Sequence, residues 1–177
     1  MNYQYEIALS FATEEQDLVE KVYRYLKAEN VHVFFAPSSE GQIALSGKNQ
    51  REAFYSIFGL NAQYVALFVS KHYVVREVPM EEARIAFAKH TIEGSVVPIY
   101  LDGTPLPAEL LDPKSTNYFK SNDPAVIANH LASKIKAQDA PSPTADAPVN
   151  SVNSMRVEGN TAEKQVFIQT LNGNIEL

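Results

Sequence analysis

The stretch Tyr64-Val65-Ala66-Leu67-Phe68-Val69-Ser70 decides the fold, because it is apolar at six successive positions and ends on a serine. It lacks the polar–apolar alternation of a half-exposed strand, which indicates a strand buried on both faces. Similar apolar runs occupy residues 5–11, 31–35 and 96–101. Buried strands joined by helices form a parallel sheet that is covered on both sides. We therefore predict an α/β fold with a flavodoxin-like, doubly wound parallel sheet of four or five strands.

Helical patterns lie between the predicted strands. Thr13 and Gln16 have the spacing of a capping box, which predicts the start of the first helix. The polar stretch from Ser38 to Gly47 is predicted to be a loop. Asp123 and Pro124 supply an N-cap and a first-turn proline for the last helix. The later helices are predicted around residues 49–58, 80–90 and 125–136.

The chain is predicted to divide at a segment rich in proline, alanine and serine. Residues 137–155 contain no aromatic side chain and keep no helix or strand period, which predicts an extended linker. A domain over residues 1–136 precedes this linker, and a tail over residues 156–177 follows it. In the tail, Asn172-Gly173 lies between two apolar runs and predicts a β-hairpin.

An isolated two-stranded hairpin is marginally stable in water, so the tail needs a surface to cover its apolar side chains. The tail could dock on its own domain, or it could pair with other copies or with a partner protein. The long linker favours the second arrangement. We interpret residues 156–177 as a segment for self-association or for binding a partner.

The composition excludes several classes of function. The 177 residues include no cysteine, which excludes disulfides, thiolate nucleophiles and zinc–thiolate sites. A net charge of −6 argues against nucleic-acid binding and against binding to anionic membranes. The sequence has no apolar run of the ~20 residues that a spanning helix needs. Its first residues lack a signal-peptide pattern, so we expect the cytoplasm.

The candidate groups for chemistry are glutamates. Glu77, Glu81 and Glu82 follow the third predicted strand, and ligands of open α/β sheets bind beyond the carboxyl ends of the strands. The structural alternative is that these acids only complement the dipole at a helix start, a contribution of ~0.3–1 kcal/mol. The four histidines are scattered without an i, i+4 pair, so we expect no metal site.

Six short motifs resemble those of bacterial TIR (Toll/interleukin-1 receptor) domains. Residues 8–15, Ala-Leu-Ser-Phe-Ala-Thr-Glu-Glu, resemble the family's opening A-L-S-F-A-G-E-D. The other five motifs follow in order and at matching spacing. They are Val33–Phe35 (second strand), Leu45–Lys48 (L-W-G-K), Val69–Tyr73 (S-x-x-Y), Val78–Glu82 (the aromatic-x-x-x-Glu segment) and Val97–Asp102 (L-P-I-x-L-D). The resemblance as a whole covers about residues 2–136.

The resemblance implies a TIR fold and cleavage of the nicotinamide–ribose bond of NAD+. The family's glutamate falls on Glu82, twelve residues after Ser70, so Glu82 is the predicted catalytic residue. NAD+ is expected as substrate, without a cofactor or metal. The segment 36–47 is expected to gate the pocket or to contact another copy. The residues expected to bind substrate are Ser10, Phe11, Phe35, Ser46, Lys48, Ser70 and Tyr73.

The sequence departs from the family pattern at two positions. Val78 and Ser46 stand where tryptophans are expected. Valine cannot stack on a base, so an aromatic platform must come from tyrosine, phenylalanine or a second subunit.

Two functional hypotheses follow from the resemblance. The first is an NAD+ glycohydrolase or ADP-ribosyl cyclase of bacterial antiphage immunity, activated by self-assembly through TIR–TIR contacts and the tail, with a downstream effector protein as a further partner. The second is a non-catalytic TIR module that acts by homotypic association, and the two missing tryptophans motivate it. A receiver domain like that of a response regulator fits less well, because Ser70 occupies the position where such a domain has an aspartate.

Overall fold

The computed structural model describes residues 3–90, 94–111 and 119–139. Within these ranges, five strands form one parallel sheet in the order β2-β1-β3-β4-β5. The strands are β1 (Tyr5–Ser10), β2 (Val33–Phe34), β3 (Ala62–Val69), β4 (Val96–Tyr100) and β5 (Phe119–Lys120). This order is the flavodoxin-like order of a doubly wound sheet, and it confirms the predicted fold. The predicted hairpin at 156–177 lies outside the described residues.

The helices cover both faces of the sheet. They are α1 (Gln16–Ala28), α2 (Ser39–Leu45), α3 (Gln50–Phe54), which continues as a π-helical segment (Tyr55–Asn61), α4 (Glu77–Lys89) and α5 (Pro124–Asp139). Helices α1 and α5 pack on one face, while α3, the π-helical segment and α4 pack on the other. No helix of the described residues has both the length and the apolar character needed to cross a lipid bilayer.

Strand β3 shows why its sequence does not alternate. Tyr64, Ala66 and Phe68 belong to the core on the α1 and α5 side. Val65, Leu67 and Val69 belong to the core on the α4 side. Every one of these side chains is buried. Because full burial of a large apolar side chain contributes ~1.5–3 kcal/mol, this strand anchors both layers.

The predicted capping box at Thr13 and Gln16 is wrong. Thr13–Glu15 forms a 3₁₀ turn, and neither this turn nor α1 has a side-chain cap. The amide N–H of Gln16, which the Thr13 hydroxyl of a capping box would have bound, donates instead to the backbone carbonyl of Thr13. A backbone acceptor therefore satisfies the amide that the capping box would have served.

The predicted loop from Ser38 to Gly47 contains a helix, α2. Ser38 is its N-cap, because the Oγ of Ser38 accepts a hydrogen bond from the N–H of Gly41 at 3.0 Å. Gly41 resembles a helix breaker in the sequence, but it serves a close approach of two backbones. A Cβ at this position would lie 2.2 Å from the carbonyl oxygen of Phe35, so only glycine fits.

Other boundaries differ by a few residues. Helix α4 begins at Glu77 rather than Met80, because Pro79 falls in its first turn, where a missing N–H removes no helical hydrogen bond. Helix α5 continues past the predicted domain boundary at Lys136 to Asp139, the last described residue of its range. Asp123 caps α5 as predicted, since its Oδ1 accepts from the N–H of Ala125 at 2.8 Å. Of the predicted linker, residues 140–155 lie outside the described ranges.

Candidate active site

A cavity of about 320 Å³ lies beyond the carboxyl ends of β1 and β2. Its walls come from the end of β1 and the turn after it, from residues 36–48, from α3 and from α4. Open α/β sheets bind their ligands beyond the carboxyl ends of the strands (the strand-end rule), and this cavity lies in that place. Glu82 is the one carboxylate among the described residues that line the cavity.

Glu82 is held inside the protein rather than displayed on the helix surface. It lies in the second turn of α4 and is only 8% exposed. The Oγ of Ser10, at the end of β1, lies 2.6 Å from its Oε2 and donates a hydrogen bond to it when Glu82 is ionised. Burial raises the pKa of Glu82 to about 8, although the Ser10 hydrogen bond works in the opposite direction.

Tyr73 completes a buried hydrogen-bonded chain behind Glu82. Its hydroxyl lies 2.7 Å from the Oγ of Ser10 and donates to the backbone carbonyl of Pro79 at 2.9 Å. Burial, together with the nearby charge of Glu82, holds the pKa of Tyr73 well above its ordinary value. The chain links the end of β1, the turn after β3 and the first turn of α4.

Ser70 has a positioning role in this structure. Its buried Oγ accepts hydrogen bonds from the N–H groups of His72 at 3.2 Å and Tyr73 at 3.1 Å. Ser70 does not line the cavity. It fixes the turn that carries Tyr73, so its influence on the cavity passes through that residue.

An ion pair and a hydrogen bond join the loop after β1 to the loop after β3. Glu14 pairs with Arg76, and the Oε1 of Glu15 lies 2.9 Å from the Nδ1 of His72. Partly exposed contacts of this kind contribute little to stability individually. They nevertheless tie together the two segments that supply Ser10 and Tyr73.

An aromatic stack forms one side of the cavity. Phe11 lines it and stacks on Phe35, with ring centroids 5.5 Å apart and an interplanar angle of 25°. Phe35 stacks in turn on Tyr23, with centroids 4.8 Å apart. Phe35 is 3% exposed and does not line the cavity, so it supports Phe11 from behind.

The predicted residues of the segment before α3 separate in the structure. Lys48 is exposed and lines the Glu82 cavity. Ser46 is also exposed, but it lines a different surface depression with Gln42, Ile43 and Leu45. Ser46 therefore does not come together with Glu82 in this chain.

The neighbouring glutamates lie outside the cavity. Glu77 is exposed, and Glu81 forms an ion pair with Arg51 at 3.4 Å. Both line an adjoining depression of about 560 Å³, which shares Val78 with the Glu82 cavity. Only Glu82 of the three combines burial with access to the cavity.

A glutamine, Gln50, lines both spaces and was not predicted, because glutamines on a helix surface carry no recognisable motif.

The arrangement suits carboxylate chemistry. Among the described residues, Oε1 of Glu82 receives no hydrogen bond, whereas Oε2 is bound by Ser10. One oxygen is thus fixed and the other is available to a ligand. A carboxyl group with a pKa near 8 changes its protonation near neutral pH, where a general acid or base is most effective. No cluster of histidine, aspartate or glutamate in the described ranges could hold a metal ion.

Comparisons with known proteins support the fold and identify the family. A family model described as TIR domain matches residues 7–132. The crystal structure of the TIR domain of the Toll-related receptor TRR-2 from Hydra magnipapillata superposes with a TM-score of 0.59. That match covers 75% of this chain and 98% of the Hydra chain at 14% identity, so it supports the fold alone.

A curated relative extends the comparison. The chain is 31% identical over 140 residues to a protein of Aquimarina amphilecti named 3' cyclic ADP-D-ribose synthase AaTIR. The match covers 76% of this chain but 41% of the relative, so the chain spans less than half of that protein. Because the family model matches well over half of its residues, this chain belongs to the TIR domain family.

Proposed function

We propose that this chain cleaves the nicotinamide–ribose bond of NAD+ and that Glu82 is the catalytic residue. The observation that carries the proposal is the buried Glu82 carboxyl group, fixed by Ser10 at one oxygen and lining a cavity at the strand ends. The similarity to a protein named as a cyclic ADP-ribose synthase supplies the substrate class.

The reaction needs a negative charge beside the sugar. When the bond between the ribose C1′ and the pyridinium nitrogen breaks, the electron pair leaves with neutral nicotinamide. The ribose then develops oxocarbenium character, and a carboxylate held beside it stabilises that charge. Water captures the sugar and releases a proton to give ADP-ribose, or a nucleophile within ADP-ribose gives a cyclic isomer. Both products lie within the proposal.

Other residues of the cavity orient the substrate. Phe11 presents an aromatic ring that is held in place by Phe35, and we assign to it the contact with nicotinamide. Lys48 places a cation on the same cavity, where it suits the diphosphate. Val78 supplies no ring, since its side chain is aliphatic and 41% exposed.

Assembly and biological role follow the same proposal. TIR domains generally associate through TIR–TIR contacts, and Ile43 on α2 is 76% exposed in the segment expected to contact another copy. We propose that self-association activates the chain in bacterial antiphage immunity, in the cytoplasm and with a downstream effector. The tail at 156–177 is proposed to assist that association.

The second candidate is a TIR module without catalysis. Val78 favours it, because this residue lines the Glu82 cavity where the family resemblance places tryptophan. Such a module would use the same surfaces for homotypic association and would not turn over NAD+.

The deciding experiment measures nicotinamide release from NAD+ by the full chain. We expect release by the wild type and a loss of at least 100-fold in Glu82→Gln, since a neutral amide cannot stabilise a cationic sugar. Glu81→Gln is the matched control, because Glu81 neighbours Glu82 but lies outside the cavity. Turnover that is equal in Glu82→Gln and the wild type would refute the catalytic role, and absence of turnover in concentrated protein would favour the interaction module.

A further inference from the structure

Three oxygen–oxygen contacts connect Glu82 to the backbone, and each needs one hydrogen. They are Glu82 Oε2 to Ser10 Oγ at 2.6 Å, Ser10 Oγ to Tyr73 Oη at 2.7 Å, and Tyr73 Oη to the Pro79 carbonyl at 2.9 Å. The two hydroxyl groups supply only two hydrogens. An ionised Glu82 therefore leaves one of the three contacts without a hydrogen.

A proton on Glu82 supplies the missing hydrogen. The carbonyl of Pro79 can only accept, so Tyr73 donates to it. Ser10 then donates to Tyr73, and the Glu82 carboxyl group donates to Ser10. All three contacts are satisfied at once in this direction. In the ionised form Ser10 donates to Glu82, so Tyr73 can donate either to Ser10 or to the Pro79 carbonyl, and the other of these two contacts has no hydrogen.

We infer that Tyr73 is a positioning residue that holds Glu82 in its neutral form while the cavity is empty. The second part of the inference rests on the proposed function: the pyridinium cation of the substrate favours the carboxylate, so binding releases one proton to solvent. The neutral carboxyl group plus NAD+ thus becomes the carboxylate–NAD+ complex plus H+. Tyr73 therefore keeps Glu82 protonated in the free enzyme, and the bound substrate converts Glu82 to the carboxylate that the reaction needs.

The charged groups around Glu82 are compatible with this assignment. Helix α4 packs against β1, the π-helical segment and the turn of Tyr73. From β1 and that turn, Ser10 and Tyr73 face the carboxyl group, while Tyr55 of the π-helical segment lies beneath the ammonium group of Lys89. Lys48 lines the cavity, and Glu81 is engaged by Arg51 outside it.

The test is a carboxyl-carbon NMR titration of the full chain with ¹³C-labelled glutamate. The Glu82 resonance is assigned by its absence in Glu82→Gln. Tyr73→Phe keeps the ring but removes the hydroxyl, which costs the neutral form two hydrogen bonds and the ionised form one. We expect the midpoint for Glu82 to fall by roughly 0.7 pH unit, the equivalent of one ordinary hydrogen bond. Tyr25→Phe, on the exposed face of α1, is the control and should leave the midpoint unchanged.

Kinetics supply a readout that a merely structural residue would not move. We divide the rate of each protein by its own rate at pH 9. Below pH 7 this normalised rate should be about five-fold higher in Tyr73→Phe than in the wild type, because more of the variant's Glu82 is ionised there. A packing defect alone would lower the rate equally at every pH. An unchanged or raised midpoint in Tyr73→Phe overturns the inference.

The wild type alone provides a second measurement in case Tyr73→Phe does not fold. Infrared spectra at pH 6 should contain the carbonyl-stretch band of a protonated carboxyl group that Glu82→Gln lacks. If the two spectra match in that region, Glu82 is already ionised and the inference fails. Neither the NMR nor the infrared measurement requires turnover, so a failure of the proposed NAD+ cleavage is distinguished from a failure of the proton assignment.

Discussion

Ser10 and Glu82, 72 residues apart in the chain, meet through a buried hydrogen bond of 2.6 Å between Oγ and Oε2. Ser10 is fully buried at the end of β1, and Glu82 lies one helical turn beyond Val78 on α4. The bond fixes the direction in which the Glu82 carboxyl group enters the cavity. It is therefore the first contact to test by mutation.

Replacing Ser10 by alanine should lower kcat/KM for NAD+ by about 10- to 100-fold. The reason is the loss of a hydrogen bond to a charged group, which is worth roughly 1.5–3 kcal/mol. Steady-state nicotinamide release at pH 8.5 measures the effect. Ser95→Ala is the matched control, since Ser95 is a buried serine at the opposite end of the sheet. Equal losses in the two variants would show that Ser10 matters only for packing.

Activity should rise with pH up to about 8. The reaction needs the carboxylate, and the pKa of Glu82 in the empty site is raised to about 8 by burial. The logarithm of kcat/KM should therefore increase with unit slope below that pH and level off above it, because kcat/KM reports the free enzyme. A profile that is flat between pH 6 and 9 would contradict the assignment.

The free energy of unfolding should also depend on the ionisation of Glu82, but it should fall with pH where the activity rises. The folded pKa of Glu82 lies above the unfolded value, so the folded state binds the extra proton between pH 4.5 and about 8. The free energy of unfolding then falls by about 1.4 kcal/mol per pH unit in this window on account of Glu82. Urea denaturation of the wild type and Glu82→Gln at pH 5, 6.5 and 8 measures it. The advantage of Glu82→Gln over the wild type should grow with pH, and a constant difference would refute the prediction.

Truncating Phe11 should weaken substrate binding more than it slows chemistry. Phe11→Ala removes the ring that lines the cavity and stacks on Phe35. We expect KM for NAD+ to rise about 5- to 10-fold, in line with an aromatic contact of ~0.5–1.5 kcal/mol, with kcat changed by less than three-fold. Phe87→Ala is the control for general destabilisation, because Phe87 lies in the last turn of α4 and is partly buried against the core. A fall in kcat with unchanged KM would argue that Phe11 acts on Glu82 rather than on the substrate.

The sequence by itself determined the sheet and the place of the cavity. A strand such as Val65–Val69, apolar at every position, can be satisfied only between two layers of helices, and that requirement imposes a parallel sheet. The strand-end rule then brings Ser10 and the segment after β2 to one side. The N-cap at Asp123 could also be predicted from the sequence, because the carboxylate accepts from the backbone N–H of Ala125, only two residues further along the chain.

Only the tertiary structure decided which side chains meet in that place. Glu81 and Glu82 are adjacent in sequence, but their directions differ by about 100° around the helix, and the packing of α4 turns Glu82 inward. The same packing brings Tyr73 to Ser10 and leaves Ser46 on another surface. Helix α2 was missed because Gly41 resembles a helix breaker in the sequence, whereas in the structure it lets the helix backbone approach the Phe35 carbonyl. Residue types and their spacing define the candidates, while helix rotation and packing select among them.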